Sequence, residues 1–229
     1  MKFITFVDLM TEHVNQHLKF RDGLRKALEG DLPGVSSQLK MIPAHRHREM
    51  KLRNWKEEPR RAAVLICFFP DGDDEIYLAL IRRNEYDGVH SGQISFPGGR
   101  EEKEDRDLVH TALREAEEEI NIRQHDVHVL GEITPVYIPP SNFLVNAVVG
   151  WTGKKPEFIP EVAEVQEILR IPLIELLNPE NRQKKDIAHK ELNITDVPCF
   201  YIQDHIIWGA TAMMLSEVVD VVMSIDSVY

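Results

Sequence analysis

The chain has 229 residues, of which 43% are hydrophobic, so it is long enough to bury a sizeable core in a domain of ordinary size. Its formal net charge of -11 disfavours a nucleic-acid partner, because proteins that bind nucleic acids present basic surfaces. The two cysteines, Cys67 and Cys199, form no CxxC motif, zinc spacing or disulfide framework, so we expect a reducing, cytoplasmic compartment.

The N-terminal part of the chain predicts one or two helices followed by a connector. Residues 5–29 carry apolar side chains at helical spacing, and Gly30 and Pro33 end the pattern. Acidic residues interrupt the apolar run, so we expect neither a signal peptide nor a membrane span. Residues 34–61 are polar and basic. Three of them, His45, Arg46 and His47, are consistent with a metal or phosphate site. A solvated linker is the simpler interpretation.

Several apolar runs of strand length follow the connector. Residues 62–69 and 75–83 flank an acidic turn and predict a hairpin, and residues 93–96 predict a short strand. Residues 127–137 and 143–151 predict a second strand pair, joined by a segment that contains two prolines.

The C-terminal third alternates strands and helices. We predict a strand at 162–171 followed by a short helix, a further hairpin from 186–194 and 199–202 that continues into 206–208, and a closing helix at 209–225. Mixed strands with helices before, between and after them indicate an α/β/α sandwich. We therefore predict an N-terminal helical extension and connector over residues 1–58 and an α/β domain with a mixed central sheet over residues 59–229.

The most informative stretch is residues 95–122, SFPGGREEKEDRDLVHTALREAEEEINI. Its helix is expected to start near Asp105 or Asp107. Successive residues of a helix are about 100° apart, so Glu115, Glu118 and Glu119 lie on one face, while Glu117 points towards solvent.

Three neighbouring carboxylates repel one another, and this repulsion destabilises a helix unless a cation offsets it. Oxygen-rich clusters of this kind suit hard divalent cations such as Mg²⁺ or Mn²⁺. The alternative is an ordinary solvated charged face. Gly98 and Gly99 favour the metal interpretation, because adjacent glycines permit a close approach of the backbone that a plain surface helix does not require.

This stretch resembles the signature of the Nudix hydrolases, in which a glycine and an acidic loop precede Arg-Glu-apolar-x-Glu-Glu-x-Gly-apolar. Gly99 opens the pattern, and its second half is matched by Arg114, Glu115, Ala116, Glu118, Glu119 and Ile122. Asn121 replaces the final glycine, but asparagine also accepts a left-handed helix end. The loop is one residue longer than usual, which leaves Glu104 or Asp105 as the loop acid.

The resemblance implies specific roles at this site. Glu118 and Glu119 are expected to bind the metal, Glu115 to bind the metal or accept the proton of the attacking water, and the Gly98 carbonyl to add a ligand. Arg114 is expected to orient Glu118, four residues further along the helix; a surface ion pair is the alternative. Glu164, in a later strand, is a candidate for an outlying metal ligand or base.

The segment LALIRRNEYDGVHSGQISFPGG, residues 78–99, resembles the segment that marks the coenzyme A pyrophosphatase branch of the family. Its matching residues are Arg83, Gly92, Phe96, Pro97, Gly98 and Gly99. Ile81 stands where threonine is usual, and Gly88 where a loop arginine is usual. Further stretches that resemble this branch are HTALREAEEE and IIWGATAMML.

The resemblance therefore implies hydrolysis of the pyrophosphate of coenzyme A or its thioesters, giving 3′,5′-ADP and phosphopantetheine or its acyl form. Arg83 is the main candidate for holding substrate phosphates, with Arg82, Arg100 and His90 as weaker ones, since arginine suits bidentate phosphate contacts. On this hypothesis, removal of Arg83 leaves metal binding unchanged. The alternatives are a pyrophosphatase for ADP-ribose or a related nucleoside diphosphate derivative, and a non-catalytic binding or regulatory module. We expect a small-molecule substrate, no nucleic-acid or membrane partner, and a homodimer as one possible assembly.

Overall fold

The computed structural model describes residues 6–43, 58–72, 75–85, 91–189 and 192–225, and the side chains of residues 6–15, 189 and 192 are outside the description. His45, Arg46, His47, Gly88 and His90 lie outside the described residues, so their predicted roles stay predictions. Within the described ranges, no helix is both long enough and apolar enough to cross a membrane.

The N-terminal segment forms one long helix, α1 (Phe6–Leu28), and a short one, α2 (Val35–Gln38), which runs into a 3₁₀ turn (Leu39–Met41). The predicted helix is confirmed as a single element that ends before Gly30.

The main sheet contains seven described strands: β1 (Arg60–Pro70), β2 (Ile76–Arg83), β3 (Ile94–Ser95), β4 (Gly98–Arg100), β5 (Val127–Ile138), β6 (Phe143–Thr152) and β7 (Val165–Pro172). The central order is β3-β2-β1-β6-β5, with β4 paired to β1 and β7 paired to β2. Strands β1 and β6 are parallel and the other pairs are antiparallel, so the sheet is mixed, as predicted.

A second, three-stranded antiparallel sheet comprises β8 (Arg182–His189), β9 (Leu192–Ile202) and β10 (His205–Trp208). The predicted single strand over residues 186–194 is wrong, because Ile187 pairs with Ile194 across the end of a hairpin. The sequence between these two residues contains neither glycine nor proline, so it carries no strong turn signal.

Helices cover both faces of the main sheet. Helix α3 (Leu108–Ile120) buries Ala112, Ala116 and Ile120 against alternate residues of β1, such as Leu65. The intervening residues of β1 face the opposite side, where they share a core with α1 and with α5 (Gly209–Met223). A short helix, α4 (Leu173–Leu177), follows β7. The layers confirm the predicted α/β/α sandwich.

The start of the connector is folded rather than a solvated linker. The Glu217 side chain of α5, which is fully buried, accepts hydrogen bonds from the Gly34 backbone N–H (3.2 Å), the Gln38 side-chain amide (2.8 Å) and the Thr134 backbone N–H (3.2 Å). Sequence reasoning failed here because these partners lie 83 to 183 residues from Glu217 in the chain. The division at residues 58 and 59 stays a prediction.

Candidate active site

Gly98 lets the turn before α3 pack directly on β1. Its φ is +153°, and a Cβ at this position would lie 2.4 Å from the Ala63 carbonyl oxygen and 2.6 Å from Val64 Cα. The neighbouring backbone therefore leaves no room for a side chain. The N–H of Gly98 donates to Glu119 Oε2 at 2.8 Å, so the turn also fixes one oxygen of this carboxylate.

Helix α3 begins and ends at the predicted residues. The Asp107 side chain caps its N-terminus by accepting from the His110 backbone N–H at 2.7 Å. Asn121 ends it in the left-handed conformation (φ 59°, ψ 30°). The caps fix where the helix begins and ends, and the packing of Ala112, Ala116 and Ile120 against β1 sets the direction of its acidic face.

The three carboxylates on that face differ in exposure. Glu119 is buried, with 2% of its side-chain surface exposed, while 15% of Glu115 and 60% of Glu118 is exposed. Glu117 is partly exposed, and among the described residues its side chain forms no hydrogen bond or ion pair. The site therefore runs from the protein interior at Glu119 outwards to solvent at Glu118.

Burial raises the pKa of two of these carboxyl groups. The pKa of Glu119 rises to about 7, because burial outweighs the Arg83 charge and the Gly98 N–H, which act in the opposite direction. Burial also raises the pKa of Glu115, against the opposing effect of Arg114. The negative charge of Glu164 contributes to both increases, so this residue lies close enough to interact with the site.

Arg83, at the end of β2, faces the buried carboxylate. Its Nη1 atom is 3.2 Å from Glu119 Oε1, and 22% of its side chain is exposed. Among the described residues, Glu119 Oε1 has no hydrogen-bond partner despite its burial. The Arg83 contact is therefore a charge contact without hydrogen-bond alignment, and this oxygen is free to accept a further ligand.

Arg114 organises the outer part of the acidic face. Its Nη1 atom lies 3.0 Å from Glu115 Oε1 and 2.9 Å from Glu118 Oε2. Its Nε and Nη2 atoms bind the two oxygens of Asp105, each at 3.0 Å. The Arg114–Glu118 contact predicted from their spacing is present, and Asp105 adds a bidentate partner on the opposite side.

Asp105 is the loop acid that reaches the helix. Its side chain is fully buried and also accepts from the Glu102 N–H and the Thr111 hydroxyl, each at 2.9 Å, while His110 Nδ1 lies 2.9 Å away. The Arg114 hydrogen bonds hold the Asp105 pKa well below its usual range. Glu104, the other sequence candidate, is exposed.

An open cleft of about 590 Å³ adjoins the buried end of the acidic face. Its lining residues are Arg83, Asn84, Glu85, Ala163, Glu164 and Gln166. Two of them, Arg83 and Glu164, were sequence candidates. Sequence reasoning missed the others, because residues 83–85 and 163–166 are about eighty residues apart and nothing in their local pattern indicates that they meet.

The weaker arginine candidates lie elsewhere. Arg82 Nη2 is 2.8 Å from His205 Nδ1 of β10, and Arg82 Nε is 3.2 Å from Glu167 of β7. Arg100 is exposed, and its carbonyl accepts from Arg114 Nη2 at 3.3 Å. Among the described residues, neither arginine forms a hydrogen bond or ion pair with the three carboxylates of the helix, and their substrate roles stay predictions.

The donor set suits a hard divalent cation. In the described ranges, no three His, Cys, Asp or Glu side chains already converge as a metal-binding group. Arg114 contacts Glu118, and Arg83 faces Glu119. However, Glu119 Oε1 is a buried, unbonded carboxylate oxygen, and Glu115 and Glu118 lie on the same face. Oxygen donors of this kind are those that Mg²⁺ and Mn²⁺ prefer.

Gly99 leaves the space that the Glu115 carboxylate occupies, and this gives a testable prediction. A Cβ at Gly99 would lie 2.5 Å from both Glu115 oxygens. We expect Gly99→Ala to displace this carboxylate by about 1 Å, and displacements of this size lower turnover by about a hundredfold. Steady-state kinetics would measure the loss, and circular dichroism would check the fold. Gly153→Ala is the control, because a Cβ there meets nothing within 4 Å. Unchanged turnover in Gly99→Ala would remove Glu115 from the reaction centre.

Comparisons with known proteins identify relatives of this chain by sequence. The sequence profile of the NUDIX domain family matches residues 59–192. The chain is 32% identical over 160 residues to the human mitochondrial coenzyme A diphosphatase NUDT8, a match that covers 69% of this chain and 68% of that protein.

Two further relatives carry less specific names. The chain is 37% identical over 156 residues to the uncharacterized Nudix hydrolase NudL of Yersinia pestis, covering 68% of this chain and 76% of the relative. It is 34% identical over 169 residues to the mitochondrial Nudix hydrolase 15 of Arabidopsis thaliana, covering 69% of this chain but only 57% of that relative.

Proposed function

Because the chain belongs to the NUDIX domain family, we propose that this hydrolase cleaves the pyrophosphate bond of coenzyme A or its thioesters with the help of a divalent metal ion. Hydrolysis adds one water across the P–O–P bridge and gives 3′,5′-ADP and phosphopantetheine, or its acyl form. The observation that carries the proposal is the buried, unbonded Glu119 Oε1 atom, which lies on the same helix face as two further carboxylates and next to a cleft lined by Arg83.

Glu118 and Glu119, together with the Gly98 carbonyl, would hold Mg²⁺ or Mn²⁺, and Glu115 would be a further ligand where it does not act as the base. Such an ion neutralises pyrophosphate charge and lowers the pKa of its bound water. The Gly98 N–H and the turn packing hold Glu119 in place. Arg114 restrains Glu115 and Glu118 through charged contacts on their outer side.

Two carboxylates suit the removal of a proton from the attacking water. Burial raises the pKa of Glu115, which favours proton acceptance near neutral pH. Glu164 lies on the cleft wall, where its charge interacts with Glu115 and Glu119. We propose Glu115 as the base, and Glu164 as its alternative.

The substrate assignment combines two lines of support. The segment over residues 78–99 resembles the coenzyme A branch of the family, and a human relative at 32% identity is named a coenzyme A diphosphatase. Arg83 lies in the cleft wall, where a cation can contact a substrate phosphate. Arg82 and Arg100 are the further candidates, and the 3′-phosphate of coenzyme A is the group that requires an additional cation.

The substrate assignment predicts discrimination by the 3′-phosphate. A charge-assisted hydrogen bond contributes roughly 1.5–3 kcal/mol, so kcat/KM for coenzyme A is expected to exceed that for its 3′-dephospho form by about ten- to a hundredfold. Rates on both compounds and on ADP-ribose, with products identified by mass spectrometry, would measure this. Equal kcat/KM for the first two would remove the ground for a coenzyme A enzyme, and faster cleavage of ADP-ribose would favour the other pyrophosphatase assignment.

Two further sequence predictions concern the setting of the enzyme. Cys67 and Cys199 are both buried free thiols, consistent with the proposed reducing, cytoplasmic compartment, although two of the relatives are named mitochondrial. A homodimer also stays a prediction, which sedimentation would test.

A further inference from the structure

We infer that Arg83 occupies the charge position of the metal in the metal-free enzyme and is released to the substrate cleft when the metal binds. The inference rests on the proposed metal-dependent function and adds a link between metal loading and substrate binding. It also replaces the sequence-based hypothesis that Arg83 is independent of the metal.

The two carboxylate oxygens of Glu119 have different surroundings. Its Oε2 atom is fixed by the Gly98 N–H at 2.8 Å, so this oxygen already has a partner supplied by the backbone. Its Oε1 atom has no hydrogen-bond partner among the described residues, and the Arg83 Nη1 atom lies 3.2 Å away. A cation that binds Glu119 at Oε1 must therefore approach the oxygen that Arg83 already neutralises.

The buried charge of Glu119 also favours this competition. Glu119 is almost fully buried, so its negative charge is poorly solvated and requires a nearby positive charge. Arg83 supplies that charge in the metal-free protein. A divalent ion bound at the same carboxylate would stand within a few ångströms of the guanidinium group, where two positive charges repel each other. Arg83 therefore competes with the metal for Glu119.

The Arg83 side chain has a route from Glu119 into the cleft. Its backbone is fixed, because the Arg83 N–H donates to the Gln93 carbonyl and the Asn84 N–H donates to the Glu164 carbonyl. Its side chain lines the open cleft of about 590 Å³. A change of side-chain rotamer is therefore sufficient to move the guanidinium group from Glu119 into the cleft, where a substrate phosphate is a suitable bidentate partner.

The test is direct metal binding to the protein without substrate. Arg83→Met retains most of the aliphatic length but removes the charge. We expect its dissociation constant for Mn²⁺, measured by electron paramagnetic resonance or calorimetry, to fall about tenfold, which corresponds to about 1.4 kcal/mol. Arg83→Gln should give the same direction, and Arg83→Lys, which keeps the charge, should stay near the unmodified protein.

Arg82→Met is the matched control. Arg82 is the neighbouring arginine, but it contacts Glu167 and His205 instead of the three helix carboxylates. Its Mn²⁺ dissociation constant should not change. If Arg83 only binds substrate, Arg83→Met should bind Mn²⁺ as tightly as the unmodified protein. If Arg83 orients Glu119 for the metal, Arg83→Met should bind Mn²⁺ more weakly. Either result would overturn the inference.

Thermal unfolding provides a second readout if Arg83→Met proves unstable. Loss of the Glu119 counter-charge should lower the Tm of the metal-free variants, and the increase of Tm on adding Mn²⁺ should be larger than in the unmodified protein. A merely structural Arg83 would lower the metal-free Tm without enlarging the increase, which would contradict the inference. If no substrate were cleaved but these shifts appeared, the proposed function would fail and the competition would stand.

Discussion

Glu119→Gln is expected to lower turnover by at least about a hundredfold while the protein stays folded. Loss of a group that merely supports a metal ligand costs about ten- to a hundredfold in affinity or activity, so loss of a buried ligand should cost at least as much. Mn²⁺ binding should weaken in parallel. Kinetics at saturating substrate over a range of metal concentrations would measure both effects.

The metal-free protein should keep or slightly gain stability in this variant. Burial of a charged Glu119 is unfavourable, as its raised pKa indicates, and glutamine removes both that cost and the repulsion from Glu115. The glutamine side-chain oxygen can still accept the hydrogen bond from the Gly98 N–H. Arg83, which is partly exposed, can turn towards solvent when its partner is gone.

Glu117→Gln is the matched control, since Glu117 lies on the same helix but its side chain forms no hydrogen bond or ion pair in the described part of the chain. Its turnover, metal affinity and Tm should be nearly unchanged. Near wild-type turnover of Glu119→Gln at low metal concentration would exclude Glu119 as a ligand.

Asp105→Asn is expected to lower the free energy of unfolding by about 1.5–3 kcal/mol, the usual cost of losing hydrogen bonds between charged groups. The Asp105 side chain is fully buried and accepts both parallel hydrogen bonds from Arg114. The asparagine would therefore leave the Nε and Nη2 atoms of Arg114 without their anionic partner, while Nη1 keeps Glu115 and Glu118. Urea unfolding would measure the loss. Turnover should also fall, because Arg114 restrains Glu115 and Glu118.

The Asp105 contribution has a definite pH dependence. Its pKa is lower in the folded protein than in the unfolded chain, so the unfolded chain binds more protons in acid, and this contribution to stability grows as pH rises. It is fully present above about pH 5 and is lost as pH falls below about 4, the ordinary aspartate value. The stability difference between the unmodified protein and Asp105→Asn should therefore narrow between about pH 4 and pH 2.

Glu104→Gln is the control for this prediction, because Glu104 is the exposed neighbour in the same loop. It should change the free energy of unfolding by less than about 0.5 kcal/mol. If Asp105→Asn were as stable as Glu104→Gln, Asp105 would not hold the loop to the helix.

The acidic helix could be predicted almost completely from its sequence. The cap at Asp107, the left-handed end at Asn121 and the shared face of the three glutamates all follow from local spacing and residue preferences. The hairpin of β1 and β2 and the closing helix were predicted for the same reason, since their patterns extend over many consecutive residues.

The failures occurred where the local signal was weak. The turn between β8 and β9 was placed wrongly because its sequence has neither glycine nor proline at the reversal. The first part of the connector was interpreted as a linker because its anchor, Glu217, lies in a helix far along the chain.

Residue spacing alone specifies which carboxylates share the helix face and which family signature they form, because both depend on positions within one element. The packing of distant segments determines which of these groups is buried and which charged side chain lies next to each one. Glu119 is buried because the Gly98 turn packs on β1, and Arg83 faces it because β2 ends beside α3. Burial and long-range charge depend on how distant segments pack, so the link between Arg83 and the metal site was visible only in the folded molecule.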